Sequence, residues 1–176
     1  LAGTAAVVIG TSSIVAHATE MKKDVDWPEY GGPAGERHFS PLTQINDKTI
    51  SKLGLVWSID LPLQNSASEP VEVAGTLYYV TGYGVVHAAV AATGKALWDY
   101  DPKTYEVAGR KLGVGWGSRG ITWYRGKIYV GTQDGRLIAI DAKTGKPVWS
   151  QMTVEPDDMN YITGAPRVFD GKVIIG

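Results

Sequence analysis

Arg119 is the side chain whose chemistry is hardest to place elsewhere. It stands in GVGWGSRG, Gly113 to Gly120, among four glycines and one tryptophan, and no acidic residue in the stretch neutralises it. A guanidinium offers a planar fork of donors that matches carboxylate oxygens. An unopposed arginine in a glycine-rich loop therefore suits an anionic ligand, with pairing across a surface loop as the plainer reading. The carboxylates point less clearly to chemistry. Asp134 and Asp141 fall in turn motifs and Asp157 and Asp158 in the polar run EPDD, which is the pattern of solvated turn acids. His17, His38 and His87 are too scattered to suggest a metal site.

Composition bounds the elements that must position these residues. With 44% hydrophobic residues the 176-residue chain can bury a sizeable core. Seventeen basic against eighteen acidic side chains, with no basic run, argue against a nucleic-acid partner. Twenty-two glycines, nine tyrosines and six tryptophans against two phenylalanines predict an all-β protein of short strands and tight turns. Cysteine is absent, so thiols give neither a disulfide framework nor a compartment. Residues 1–18, LAGTAAVVIGTSSIVAHA, are small, apolar and uncharged and close on Ala16-His17-Ala18. That pattern predicts a truncated secretory signal peptide and a mature chain beginning near Thr19, outside the cytoplasm. A short buried helix or a membrane anchor is the alternative.

An internal repeat organises the rest. Gly75–Trp98 and Gly126–Trp149 align without a gap, 51 residues apart, and a third copy opens at Gly171 with GKVIIG. Each copy reads as strand, Gly-containing turn, strand, Thr-Gly-Lys turn and strand ending in Trp. In the second copy Asp141 is placed to accept from its own turn amides and Gly145 to supply positive φ; in the first, Val90 replaces the acid. Such periods of antiparallel strands predict β-propeller blades. LVWSID or VEV is expected to supply a fourth strand. Before them Asn46, Asp47, Ile50, Leu53 and Gly54 read as cap, first turn, apolar face and stop of one short helix. The apolar strand VIIG predicts further chain to pair its edge.

DWPEYGG, HFSPLTQIN, KLGLVWS, the TGKALWDYDP and IDAKTGKPVWS turns and ITGAPRVFDGKVIIG, in this order, resemble the N-terminal part of the pyrroloquinoline quinone (PQQ)-dependent alcohol dehydrogenases, the methanol/ethanol group. The likeness runs from about Asp26 to the end. It implies that residues 19–176 are the N-terminal part of a PQQ-binding domain, an eight-bladed β-propeller that oxidises an alcohol in the periplasm by hydride transfer to PQQ, with calcium as Lewis acid. It implies a cofactor-binding role for Arg119 and for the hydroxyl of Thr163 in ITGAP. The family's usual glutamate, three residues before the proline that opens the first blade, falls at Ala67, so Glu69, next to Pro70, is the substitute candidate. The positions of two adjacent family cysteines are Gly113 and Val114. Calcium ligands and the general base are expected beyond residue 176. The resemblance further implies cytochrome c or a quinone as electron acceptor. Haem c in a later domain, and membrane association through later domains or subunits, are left open by it. Two alternatives stand beside this reading: a non-catalytic propeller scaffold or binding protein of the cell envelope, and a PQQ-dependent sugar or polyol dehydrogenase.

Overall fold

The computed structural model describes residues 25–32, 35–61, 68–114, 117–155 and 157–176. The expected signal segment at 1–18 and the Ala67 position lie outside them. The repeat folds as two four-stranded antiparallel sheets. β1 (Val71–Val73), β2 (Thr76–Val80), β3 (Val86–Val90) and β4 (Ala96–Tyr100) form the first, in chain order. β5 (Thr122–Tyr124), β6 (Lys127–Gly131), β7 (Arg136–Asp141) and β8 (Pro147–Met152) form the second. β9 (Arg167–Phe169) and β10 (Lys172–Ile174) pair as the opening of a third. These are successive propeller blades. VEV is thus the inner strand of the first blade itself, whereas LVWSID carries no strand among the described residues.

Both blades share a register shift at the same place, between Ala88 and Ala89 and between Ala139 and Ile140. There the small Ala88 and Ala139 stand opposite Trp98 and Trp149, leaving room for an indole on the pleated surface. The blades then lock through that indole. Val71, Tyr78, Val80 and Val86 meet Ile121, Ile128, Val130, Ile138 and Ile140 in one buried core, with Trp98 packed against it. The Trp98 indole donates to the Ala142 carbonyl at 3.0 Å and covers Gly145, where an added Cβ would lie 2.7 Å from the ring. Trp57 repeats the contact on the first blade: it donates to the Ala91 carbonyl at 2.9 Å and covers Gly94 at the same 2.7 Å. The stretch around Trp57 therefore takes the place that β4 takes for the second blade.

The turns follow their local chemistry. Asp141 Oδ1 accepts from the Thr144 amide at 2.8 Å and hydroxyl at 2.7 Å, and Gly145 has φ +71°. The matching turn after Val90 relies on main-chain bonds to the Val90 carbonyl from Thr93 and Gly94. Two expectations fail. The helix after Asn46 is only a 3-10 turn, Ile50–Lys52, because Ile50 and Leu53 are more than half exposed and no apolar face is buried to sustain it. Asp134 is not a solvated turn acid: it is 6% exposed, accepts from the Thr132 hydroxyl and pairs with Arg136.

Candidate functional site

β1 touches β5 and β5 touches β9, so the three inner strands line a common edge. Glu69, Arg119 and Thr163 each precede one of them. The main chain ties these positions across the blades. Glu69 forms a parallel bridge with Gly120, and the Arg119 amide donates to the Thr163 carbonyl at 2.8 Å. Gly120 is required for this approach, since a Cβ there would come within 2.9 Å of Ala165 Cβ. Three residues far apart in the chain thus become neighbours at one end of the inner strands.

Their side chains differ in commitment. Arg119 is exposed, and its guanidinium makes no ion pair or hydrogen bond among the described residues. Thr163 is half-buried, and its hydroxyl likewise has no partner among the described residues, so its own backbone does not satisfy it. Glu69 is engaged: its Oε1 accepts from the Trp27 indole at 2.8 Å and the Gly31 amide at 2.9 Å. Gly113 is exposed at the end of the 3-10 stretch Gly109–Val114.

A segment that the sequence left unassigned runs along this edge. Trp27 and Glu72 exchange main-chain bonds of 2.7 and 2.9 Å, the Ala74 amide donates to Asp26 at 3.0 Å, and the Trp123 amide donates to the Pro28 carbonyl at 2.7 Å. Further on, Arg167 pairs with Glu36 and lies 4.8 Å from the Tyr30 ring centre. Residues 26–32 and Glu36 so touch the inner strands of all three blades. The Glu29 carboxyl is held above the usual carboxylate range, first by burial and then by Glu36, with Arg167 acting against both. Only the DWPEYGG motif hinted at this segment, and a motif carries no contact.

A model of the PQQ family, described as the glucose/ethanol/alcohol dehydrogenase β-propeller domain, matches residues 27–176. The chain belongs to this family. Among PQQ-family relatives, the quinohemoprotein alcohol dehydrogenase of Comamonas testosteroni is 46% identical over 153 residues, 86% of this chain and 22% of that protein. A "1-butanol dehydrogenase (cytochrome c)" of Thauera butanivorans is 40% identical over 176 residues, 99% of this chain and 26% of that protein. The crystal structure of the Comamonas protein superposes with a TM-score of 0.80 over 86% of this chain and 23% of that one. A europium-containing methanol dehydrogenase superposes at 0.77, with 30% identity, over 86% of this chain and 27% of that one. This PQQ-family chain thus spans about a quarter of the length of the relatives it matches. BamB from Moraxella catarrhalis, 21% identical at a TM-score of 0.54, shares the fold alone.

Proposed function

We propose that this chain is the N-terminal part of a periplasmic PQQ-dependent alcohol dehydrogenase, and that the edge formed by Arg119 and Thr163 takes the cofactor. The observation that carries the reading is the Arg119 guanidinium, unpaired among the described residues while its amide is fixed to Thr163. PQQ bears three carboxylates and an ortho-quinone, and the residues present suit it: an exposed planar cation whose amide is bonded to Thr163, and a Thr163 hydroxyl with no partner among the described residues. Arg119 would hold and orient anionic or quinone oxygens by charge-assisted hydrogen bonds, and Thr163 would donate to a carboxylate. Glu69 borders the same edge. When bound, PQQ supplies the acceptor for the alcohol's hydride and calcium the Lewis acid that polarises it. The general base and calcium ligands belong to chain beyond Gly176, as do the substrate cavity and any cytochrome domain. Cytochrome c or a quinone would accept the electrons.

The names of the relatives support an alcohol as substrate, and the family description, which includes glucose, keeps a sugar or polyol in the test. Gly113 and Val114 stand where the resemblance expects two cysteines, a departure that bears on electron transfer and not on hydride abstraction. The experiment is reconstitution of the full-length protein with PQQ and calcium, followed by dye-linked oxidation of alcohols, aldehydes and sugars. Quinone absorbance that stays with the protein and turnover of an alcohol are expected. Absence of both with every compound sinks the enzyme reading. Arg119→Ala is expected to weaken PQQ retention by about 1.5 to 3 kcal/mol, the range for hydrogen bonds to charged groups. Unchanged retention would return Arg119 to an ordinary surface arginine.

A further inference from the structure

Glu69 spends one carboxylate oxygen entirely on the axial segment, residues 26–32 along the inner strands. The Trp27 indole and the Gly31 amide converge on Oε1 at 2.8 and 2.9 Å, the geometry of a charge-assisted double acceptor. The segment is shaped to deliver both donors. Gly31 and Gly32 have φ of +77° and +97°, and a Cβ on Gly32 would sit 3.0 Å from the Trp27 ring. A Cβ on Gly31 would meet Glu36 Cβ and His38 Nε2, each at 3.0 Å. Meanwhile the Glu69 main chain bridges to Gly120, next to Arg119. Glu69 is thus joined through its side chain to the segment and through its backbone to the strand start that carries the guanidinium.

We infer that Glu69 is a positioning residue, which fastens the axial segment to the Arg119 and Thr163 edge and affects cofactor retention through that fastening, without touching the cofactor. The inference rests on the reading of this edge as the PQQ site. Loss of the carboxylate leaves the segment held through Asp26, Trp27 and Pro28 and by Tyr30 against Arg167, but removes the acceptor of the Trp27 indole and the Gly31 amide. A glutamine keeps a carbonyl oxygen able to accept from both donors and loses only the charge.

The test uses full-length protein with two readouts: amide hydrogen exchange over residues 26–32 without cofactor, and the rate of PQQ loss from the loaded protein followed by quinone absorbance. Glu69→Ala is expected to speed both by roughly tenfold or more, the loss of a charge-assisted bond. Trp27→Phe, which keeps a ring and removes the indole donor, is expected to fall between that variant and wild type. Glu69→Gln, which keeps both acceptor contacts without the charge, is expected to lie closer to wild type than to Glu69→Ala in both readouts. The inference is overturned if Glu69→Ala leaves exchange unchanged. It is overturned equally if Glu69→Gln loses PQQ as fast as Glu69→Ala with exchange undisturbed, because the carboxylate would then be touching the cofactor. A wild type that retains no PQQ sinks the reading of the site and the cofactor half of this inference, while the exchange readout still decides the fastening.

Discussion

Burial holds the Glu29 carboxyl above the ordinary range, the neighbouring Glu36 carboxylate raises it further, and Arg167 acts against both. The sign of the consequence is fixed by linkage. A carboxyl whose folded value is raised favours folding while the proton is on, and that contribution is lost as pH rises through the folded value. Glu29→Gln mimics the protonated form, so its melting temperature is expected to lie slightly above wild type at pH 7 and to converge with it near pH 4. Thermal unfolding of the full-length protein at both values measures this, and a variant that melts lower at pH 7 contradicts it. Among the site residues, Arg119 was legible because a cation without a local acid is visible in a string of letters. The engagement of Glu69 was not, since Trp27 and Gly31 reach it from about forty residues upstream. Asp134 was misjudged for a related reason: a turn acid looks solvated until Arg136 and the next layer close over it.

The hairpin turns between third and fourth strands carry two burdens, positive φ and an indole from the neighbouring blade. Gly75, in the turn between β1 and β2, carries the first burden alone, and Gly145, between β7 and β8, carries both. Both have φ above +70°, but a Cβ on Gly75 meets nothing within 4 Å while one on Gly145 strikes the Trp98 ring. Gly75→Ala is expected to cost about 1 kcal/mol from backbone strain alone, and Gly145→Ala clearly more. Equal losses in denaturant titration would mean that the indole is not a fixed lock. These turns were readable because aspartate, threonine and glycine act within a few residues of themselves. The three-residue inner strands were harder, because VEV, TWY and RVF are too short to show a period. The segment after Asn46 misled because spacing suggests an apolar face but only packing can sustain one.

Across the whole molecule the core lies between blades, so every blade needs a neighbour. On its far side the second blade meets, among the described residues, only the β9 and β10 pair, and its outer strand stays open: Val148, Trp149 and Met152 of β8 are 49%, 39% and 45% exposed, and Trp149 rests against Tyr129. The 176-residue chain is expected to self-associate with rising concentration in sedimentation velocity, and Trp149→Glu to reduce that association. Concentration-independent sedimentation of the unmodified chain would show that this face is not sticky. The repeat made the blades legible, whereas the axial segment left only the DWPEYGG motif, which names none of its partners across three blades. Its position also sets an order of events in time. Strand pairs within a blade can close as soon as they are made, but residues 26–32 and Glu36 cannot be fully seated until Arg167 exists to receive Tyr30 and Glu36. The earliest-synthesised part of this region therefore completes its contacts among the last, a slow, high-separation step that leaves the middle of the nascent ring open while its rim is already built.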